Sequence, residues 1–435
     1  MEQLLETDSL PIRGGKATPS WRNPAAWLQE KKLSHGFWVF FTAAFFFDFG
    51  FSVYAFLFNL YLLDIHFNER AIGLMGGAHM LGSVVGTLPA GLLVRRIGIR
   101  PLLIVCFVTA PALGALRAVT MGESAQIGLA FVAGLSMCVW GVCFLPSVAG
   151  LTTEENRASG FSLIVSVSIG TSALGGVVCG YLPQWLHRAG FAMQAADVKR
   201  MILLASCGIA AMGLFAVLRM QLPLPQAETL VNTTPQSRSW RELLRVDPFL
   251  LRFLPAMALW TMVLTSFTPF ANVYLSRALH VPMSRIGLLF SVAQMMQLCV
   301  TLLTPMLFRA LGLVNGIVAT QIFTALCLGC LAGTQNTGLA VAMYLSFSVM
   351  QWMSAPGLYN LLMSGVPDEE RSTAASITLF CNAIVGAGAT AGAGILFTRF
   401  GYPIVLAGIA ALAFVAAMLF RSLVGPLDRN MTARA

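Results

Sequence analysis

Between Phe37 and Leu423 the chain returns repeatedly to apolar runs of 18 residues or more, and no other feature limits its fold so tightly. A run of that length crosses the ~30 Å of bilayer hydrocarbon as a helix. In hydrocarbon every backbone N–H and C=O must be satisfied within the chain, so only helices and closed barrels can span. These runs are continuous, not alternating, which excludes the barrel. Composition agrees: 57% of the 435 residues are hydrophobic and only 10% are charged, too few charges to cover a water-soluble surface. The fold class is an all-α polytopic membrane protein.

Twelve runs are present. Six fall at 37–61, 71–94, 101–120, 125–149, 161–186 and 201–219, and six at 250–275, 286–309, 313–332, 338–362, 374–397 and 403–423. Residues 1–36 carry Arg13, Lys16, Arg22, Lys31 and Lys32 without the apolar core or cleavage site of a signal peptide. They read as a cytoplasmic N-terminal segment. With that orientation 19 of the 27 Lys and Arg residues lie on inner loops and tails and 8 lie outside, as the positive-inside rule requires. The expected location is the plasma (inner) membrane, with both termini cytoplasmic. Residues 220–249, with Pro223, Pro225 and Pro235, form a linker between halves at 37–219 and 250–423, and 424–435 form a cytoplasmic tail. The net charge of +9 is a topology signal facing anionic lipid. No nucleic-acid motif accompanies it.

The second half repeats the first at an offset of 213 to 214 residues. Asn59-Leu60-Tyr61-Leu62 returns as Asn272-Val273-Tyr274-Leu275, and Ile72-Gly73-Leu74 as Ile286-Gly287-Leu288. Arg95-Arg96-Ile97-Gly98 returns as Arg309-Ala310-Leu311-Gly312, and Glu154-Glu155-Asn156-Arg157 as Asp368-Glu369-Glu370-Arg371. An even number of helices per half inserts both halves the same way up. The expected architecture is therefore 12 transmembrane helices as two parallel six-helix repeats.

From about 37 to 423 the chain resembles a major facilitator superfamily transporter. That family's signature between helices 2 and 3 is Gly-x-x-Ala-Asp-Arg-x-Gly-Arg-Arg. Gly91, Arg96, Gly98 and Arg100 match it here, while Arg95 replaces the Asp and Ile99 one Arg. In the family the Asp helps hold the outward-facing state by contacts at the inner face. With the charge reversed, the expectation is a cytoplasmic gate of Arg95, Arg96, Gly98, Arg100, Glu154, Glu155, Arg157, Arg309, Asp368, Glu369, Glu370 and Arg371, in which Arg95 and Arg96 pair with Glu154 and Glu155 or with Asp368 to Glu370. A solvated cluster of topological charge is the alternative, since an exposed ion pair contributes only about 0–1 kcal/mol. Helix 5 has Gly170, Gly175, Gly176 and Gly180, but lacks the Gly-Pro of many antiporters of the family. Its glycines are read as close-packing positions.

Asp48 stands in the run FFFDFGFSVY. Eleven residues beyond Phe37, it lies about 16 Å into the membrane. A carboxylate at that depth costs at least about 2.5 kcal/mol, so it should face the bundle interior or a wet cavity. The resemblance implies that helices 1, 4, 7 and 10 line the substrate path. Asp48 is accordingly the candidate proton-coupling group. Direct contact with a cationic substrate and a structural interhelical hydrogen bond are the competing roles. Its place in the repeat is taken by Thr261, so coupling would be asymmetric between the halves.

Candidate path residues are Tyr54, Asn59, Trp140, Trp260, Thr261, Asn272, Gln294, Gln297, Gln351, Trp352, Tyr359, Asn360 and Asn382. Aromatic faces and amides around one carboxylate suit an amphipathic or cationic small organic solute. Arg117 should sit near the outer surface and snorkel to it. The nine cysteines lack metal-ligand spacing and read as reduced packing residues.

No H-E-x-x-H, G-x-S-x-G or Walker loop is present, so neither an enzyme, an ATP-driven pump nor a cofactor is expected. The function expected is secondary active transport of a small organic solute by alternating access, coupled to protons and carried out by a monomer. A facilitative uniporter, or a receptor that binds without transporting, fits the same fold.

Overall fold

The computed structural model describes residues 33–153, 156–188, 194–220, 248–367 and 370–432. Among these residues every regular element is helical. The first half comprises α1 (His35–Asp64), α2 (Glu69–Ile97), α3 (Ile99–Val119), α4 (Glu123–Leu151), α5 (Arg157–Arg188) and α6 (Ala195–Arg219). In the second half α7 is broken, running Pro248–Phe267, then a 3-10 turn Thr268–Phe270, then Ala271–Arg277. α8 (Met283–Leu311), α9 (Leu313–Gly333) and α10 (Thr337–Gly365) follow. The last stretch, Arg371–Thr432, leaves helical backbone at Gly401, which divides it into α11 (371–400) and α12 (402–432).

Length and hydropathy alone pick out ten spans. One of these, Thr373–Gly425, contains both α11 and α12. α10 makes up the twelve, its hydropathy diluted by Ser348, Gln351, Ser354 and Asn360. The protein is an integral membrane protein. Its exposed side chains include Leu88, Leu92, Phe215, Met306 and Ile404, the reverse of a soluble surface and the composition that a lipid contact requires.

Local sequence sets the starts and corners. Ser34 and Asn68 accept from the Phe37 and Ala71 N–H groups at 3.1 and 3.0 Å, capping α1 and α2. Gly98 turns α2 into α3 at φ 86°, and Gly312 turns α8 into α9 at φ 81°. Both are left-handed conformations open to glycine, and the two positions are repeat mates. His66 (φ 68°) and His280 (φ 51°) stand in the same relation. The repeat is thus expressed in the backbone as well as in the letters.

Within the first half α1 packs on α5 and α6, α2 on α4, and α3 on α4 and α6. The second half reproduces the scheme, with α7 and α9 on the α11–α12 stretch and α8 on α10. Six of the nine cysteines are buried in this packing, but Cys299 and Cys330 are exposed on helix surfaces, so those two are not packing residues.

The halves meet through α2 against α11 and α5 against α8. A Cβ added at Gly73 would lie 2.7 Å from the Thr390 carbonyl oxygen, and one at Gly180 would lie 3.0 Å from that of Ser284. Gly73 and Gly287 are repeat mates, as are Gly180 and Gly394, and Gly73 packs on Gly394 as Gly287 packs on Gly180. The same close contact is therefore built twice. Two amides add a second matched pair: Asn59 Nδ2 donates to the Pro269 carbonyl and Asn272 Nδ2 to that of Phe56, both at 2.9 Å.

These contacts all lie toward the face opposite the one where α1 begins and α12 ends. We call that opposite face distal and the other proximal. An ionic contact without a repeat mate reinforces the distal face. Arg277 Nη1 lies 2.9 Å from Glu69 Oε1, which also accepts from the Tyr402 hydroxyl at 3.1 Å. Met283 occupies the position that repeats Glu69.

Gly287→Leu should prevent distal closure. In a background with Cys299 and Cys330 replaced by Ser, a probe cysteine at Ser172 should then react faster with an impermeant maleimide from the distal side. Unchanged labelling would show that the glycine contacts do not hold that face shut.

Candidate functional site

Beneath the Asn59 and Asn272 contacts lies a central cavity of about 840 Å³, bounded by α1, α4, α5, α7, α8 and α10. Asp48 is on its wall. Ser168 Oγ donates to Asp48 Oδ2 at 2.5 Å, and Trp140 lines the same cavity. One turn along, Ser52 Oγ donates to the Asp48 carbonyl at 2.6 Å and lies 3.3 Å from Ser172 Oγ. Asp48 and Ser52 on α1 thus face Ser168 and Ser172 on α5, each pair four residues apart and on one helix face. The serines are functional candidates that sequence reasoning passed over. Their signal was the i, i+4 spacing beside the glycines of helix 5.

Trp140 is held by aromatic neighbours, with ring centroids 5.0 Å from Phe47, 5.1 Å from Phe144 and 5.6 Å from Phe107. Across the cavity Phe290 packs on Phe56 and Tyr344 at 5.3 and 5.7 Å. Gln351 accepts from Thr268 Oγ1 at 3.1 Å, which ties α10 to the break in α7. The Gln294 and Gln297 side-chain amides also line the cavity, and among the described residues neither has a hydrogen-bond partner. No Lys or Arg is in the lining. The cavity therefore offers one carboxylate, free amides, hydroxyls and aromatic faces.

Of the candidate path residues, Asn59, Trp140, Asn272, Gln294, Gln297, Gln351 and Trp352 line this cavity together with Asp48. Tyr54 does not: its hydroxyl donates to the Gly114 carbonyl at 3.1 Å, fastening α1 to α3. Trp260 is sealed in the core of the second half at 2% exposure. Thr261 gives its carbonyl to Thr265 Oγ1 and stays outside the lining. Asn360 is exposed further down α10. Asn382, on α11, has a buried Oδ1 without a partner and is likewise outside. Tyr359 lines a smaller adjoining chamber. Periodicity marks polar positions on a helix, and it cannot say which of the neighbours they face.

Arg117 corrects an expectation. It is only 8% exposed and does not snorkel. Its guanidinium lies 4.4 Å from the Phe58 ring centroid, and its Nε donates to Gln126 Oε1 at 3.3 Å. Gln126 Nε2 in turn donates to the carbonyls of Arg117 and Thr120 at 2.5 and 2.8 Å. This is a packed polar joint between α3 and α4.

At the proximal face Arg95, Arg96, Arg157 and Arg309 are exposed. Arg95 and Arg96 have no ionic partner among the described residues. Arg100 donates to the Leu218 carbonyl at 2.6 Å and Arg371 to that of Met363 at 2.7 Å. Glu370 lies at the start of α11 with its N–H donating to Pro367. Gly98 is the α2–α3 corner already described. Glu154, Glu155, Asp368 and Glu369 lie outside the described residues, as do nearly all of the N-terminal segment and the linker.

The sequence profile of the Major Facilitator Superfamily matches residues 40–390. The chain belongs to that family. No curated protein matches it in sequence. Among solved structures, a mutant form of the nucleoside transporter NupG is 14% identical, with a TM-score of 0.74 over 89% of this chain and 100% of that one. A D-xylose-proton symporter is 15% identical, with a TM-score of 0.69 over 89% and 97%. The xylose transporter XylE from E. coli, in an inward-open conformation, is 16% identical, with a TM-score of 0.66 over 89% and 95%. At such identities the likeness carries the fold. The protein is accordingly a transporter of a small solute, not an enzyme.

Gln126→Leu should destabilise the protein by about 2 kcal/mol, because it strands the Arg117 guanidinium and two carbonyls in the α3–α4 joint. A thermal melt followed by intrinsic fluorescence checks this, and an unchanged Tm would remove the structural role given to Arg117.

Proposed function

We propose that this chain is a proton-coupled secondary transporter of a small amphipathic organic cation, with Asp48 as the coupling group. The observation that carries the reading is the placement of Asp48. Among the described residues it is the only charged side chain in the cavity lining, it falls at mid-membrane by its depth in the first apolar run, and it is hydrogen-bonded across α1 and α5 by Ser168. Intramembrane carboxylates in such positions are functional by default, since their burial opposes folding unless something is gained by it. With one carboxylate and no cation in the lining, a proton and a cationic solute compete for the same charge. Exchange of one for the other follows, with Trp140, Phe144, Phe290 and Tyr344 supplying aromatic faces for the organic part.

Alternating access gives the exchange its direction. The matched glycine and asparagine contacts close the distal face, and we assign the proximal face to the cytoplasm from the excess of Lys and Arg on its loops and tails. The described conformation is then inward-open. Arg95 and Arg96, exposed and without ionic partners among the described residues, fit a gate that is apart in this state and meets the acidic proximal loops in the other. Ser172 and Ser52 continue the hydroxyl face above Asp48 and offer a proton path toward the distal side.

The test is proton flux in liposomes holding a pH-sensitive dye, with a panel of aryl- and alkylammonium ions added outside. Wild type should move protons out of the lumen as some members enter, and Asp48→Asn should abolish that exchange and weaken binding of the cation. Solute uptake without proton movement in both proteins would instead make it a uniporter. Binding without uptake would make it a receptor.

A further inference from the structure

A second chamber, of about 330 Å³, opens off the central cavity between α5, α8 and α10. Val165 and Ile169 of α5, Leu298 of α8, and Ala355 and Pro356 of α10 form its walls. No charged side chain lines it. The origin of this chamber is the glycine contact between α5 and α8. Backbones pressed together at Gly180 and Gly287 on the distal side diverge toward the proximal side, and the chamber occupies the wedge.

Gln294, Gln297 and Trp352 line both chambers and form the threshold between them. The two amides lie three residues apart on one face of α8, and neither is held by another side chain among the described residues. Polar groups free to turn thus stand where the compartment that holds Asp48 passes into one without charge among the described residues.

We propose that the smaller chamber is a tail subsite. The transported solute is a head-and-tail molecule whose polar head sits beside Asp48 and whose alkyl or aryl tail turns past Gln294, Gln297 and Trp352 into the wedge. The occupant is assigned from continuity: the chamber shares its threshold with the solute cavity, and it is almost wholly apolar where that cavity carries Asp48, Ser168 and Ser172 among its aromatic faces. This deepens the reading of the central cavity as the solute site and rests on it. Because the wedge exists only while α5 and α8 diverge, rocking the halves shut on the proximal side expels the tail.

The experiment compares two homologous series on the purified protein: n-alkyltrimethylammonium ions and neutral n-alkylamides, each from butyl to decyl. In wild type the affinity of one series should rise about fourfold per added methylene, the effect of removing one CH₂ from water. Ala355→Phe and Ile169→Trp fill the chamber from opposite walls without touching the central cavity. In either variant the butyl homologue should bind as in wild type while the increment for longer chains is lost. Two variants guard against one that fails to fold. An increment confined to the neutral series would keep the tail subsite and overturn the cationic head. An increment that survives in both variants, or none in either series, overturns the tail subsite. Tightly held phospholipid in wild type that both variants lose, with no chain-length dependence, also overturns it by assigning the chamber to lipid.

Discussion

Everything in this molecule depends on two places where backbones of opposite halves touch. Gly73 against Gly394 and Gly287 against Gly180 leave no room for side chains between α2 and α11 or between α5 and α8. In a bilayer, where lipid is as apolar as leucine, such close packing is a main source of helix association. Because the repeat supplies both contacts at the same height, the halves join at one end. They must then diverge toward the other, and the central cavity is the space this leaves. Asn59 and Asn272, each donating to the carbonyl that repeats its partner's acceptor, seal the ceiling by the same symmetry.

Symmetry is broken where chemistry is placed. Asp48 has no acidic counterpart in the second half, and Glu69, which holds Arg277 and Tyr402, has none either. The scaffold is thus duplicated while these two carboxylates are single. A carboxylate at mid-membrane opposes insertion by about 2.5 kcal/mol or more. The Ser168 hydrogen bond and the polar groups of the cavity offset part of that cost. The second half contributes amides to the same cavity, Gln294, Gln297 and Gln351, which carry no titrating group.

Much of the fold was legible in the letters. Bilayer thickness sets helix length, so apolar runs locate twelve helices even where Gly401 interrupts one continuous helical stretch and α10 is more polar than its neighbours. The offset of 213 to 214 residues revealed the two halves, and the glycines within it turned out to be the contacts between them. The site was legible in part. Asp48 could be found because a charge in hydrocarbon has few innocent explanations, whereas Ser168 and Ser172 are unremarkable on a membrane helix until α1 is seen beside them. Tyr54, Trp260 and Thr261 read as well as Trp140 did, yet they face other helices, because a helix offers its whole circumference and only packing selects the side that meets the cavity.

What the sequence determined by itself is the class of structure, the number and length of helices, the duplication and the one costly charge. Each follows from a local property: hydropathy over a window, spacing along the chain, or the price of burying a single group. Only the tertiary structure decided which face is shut, which polar side chains share a cavity, that Arg117 is locked to Gln126 and not stretched to water, and that a second chamber lies beyond Gln294 and Gln297. Those depend on the rotation and tilt of each helix against its neighbours. Such quantities are settled by contacts among residues far apart in the chain, and no window of sequence contains them.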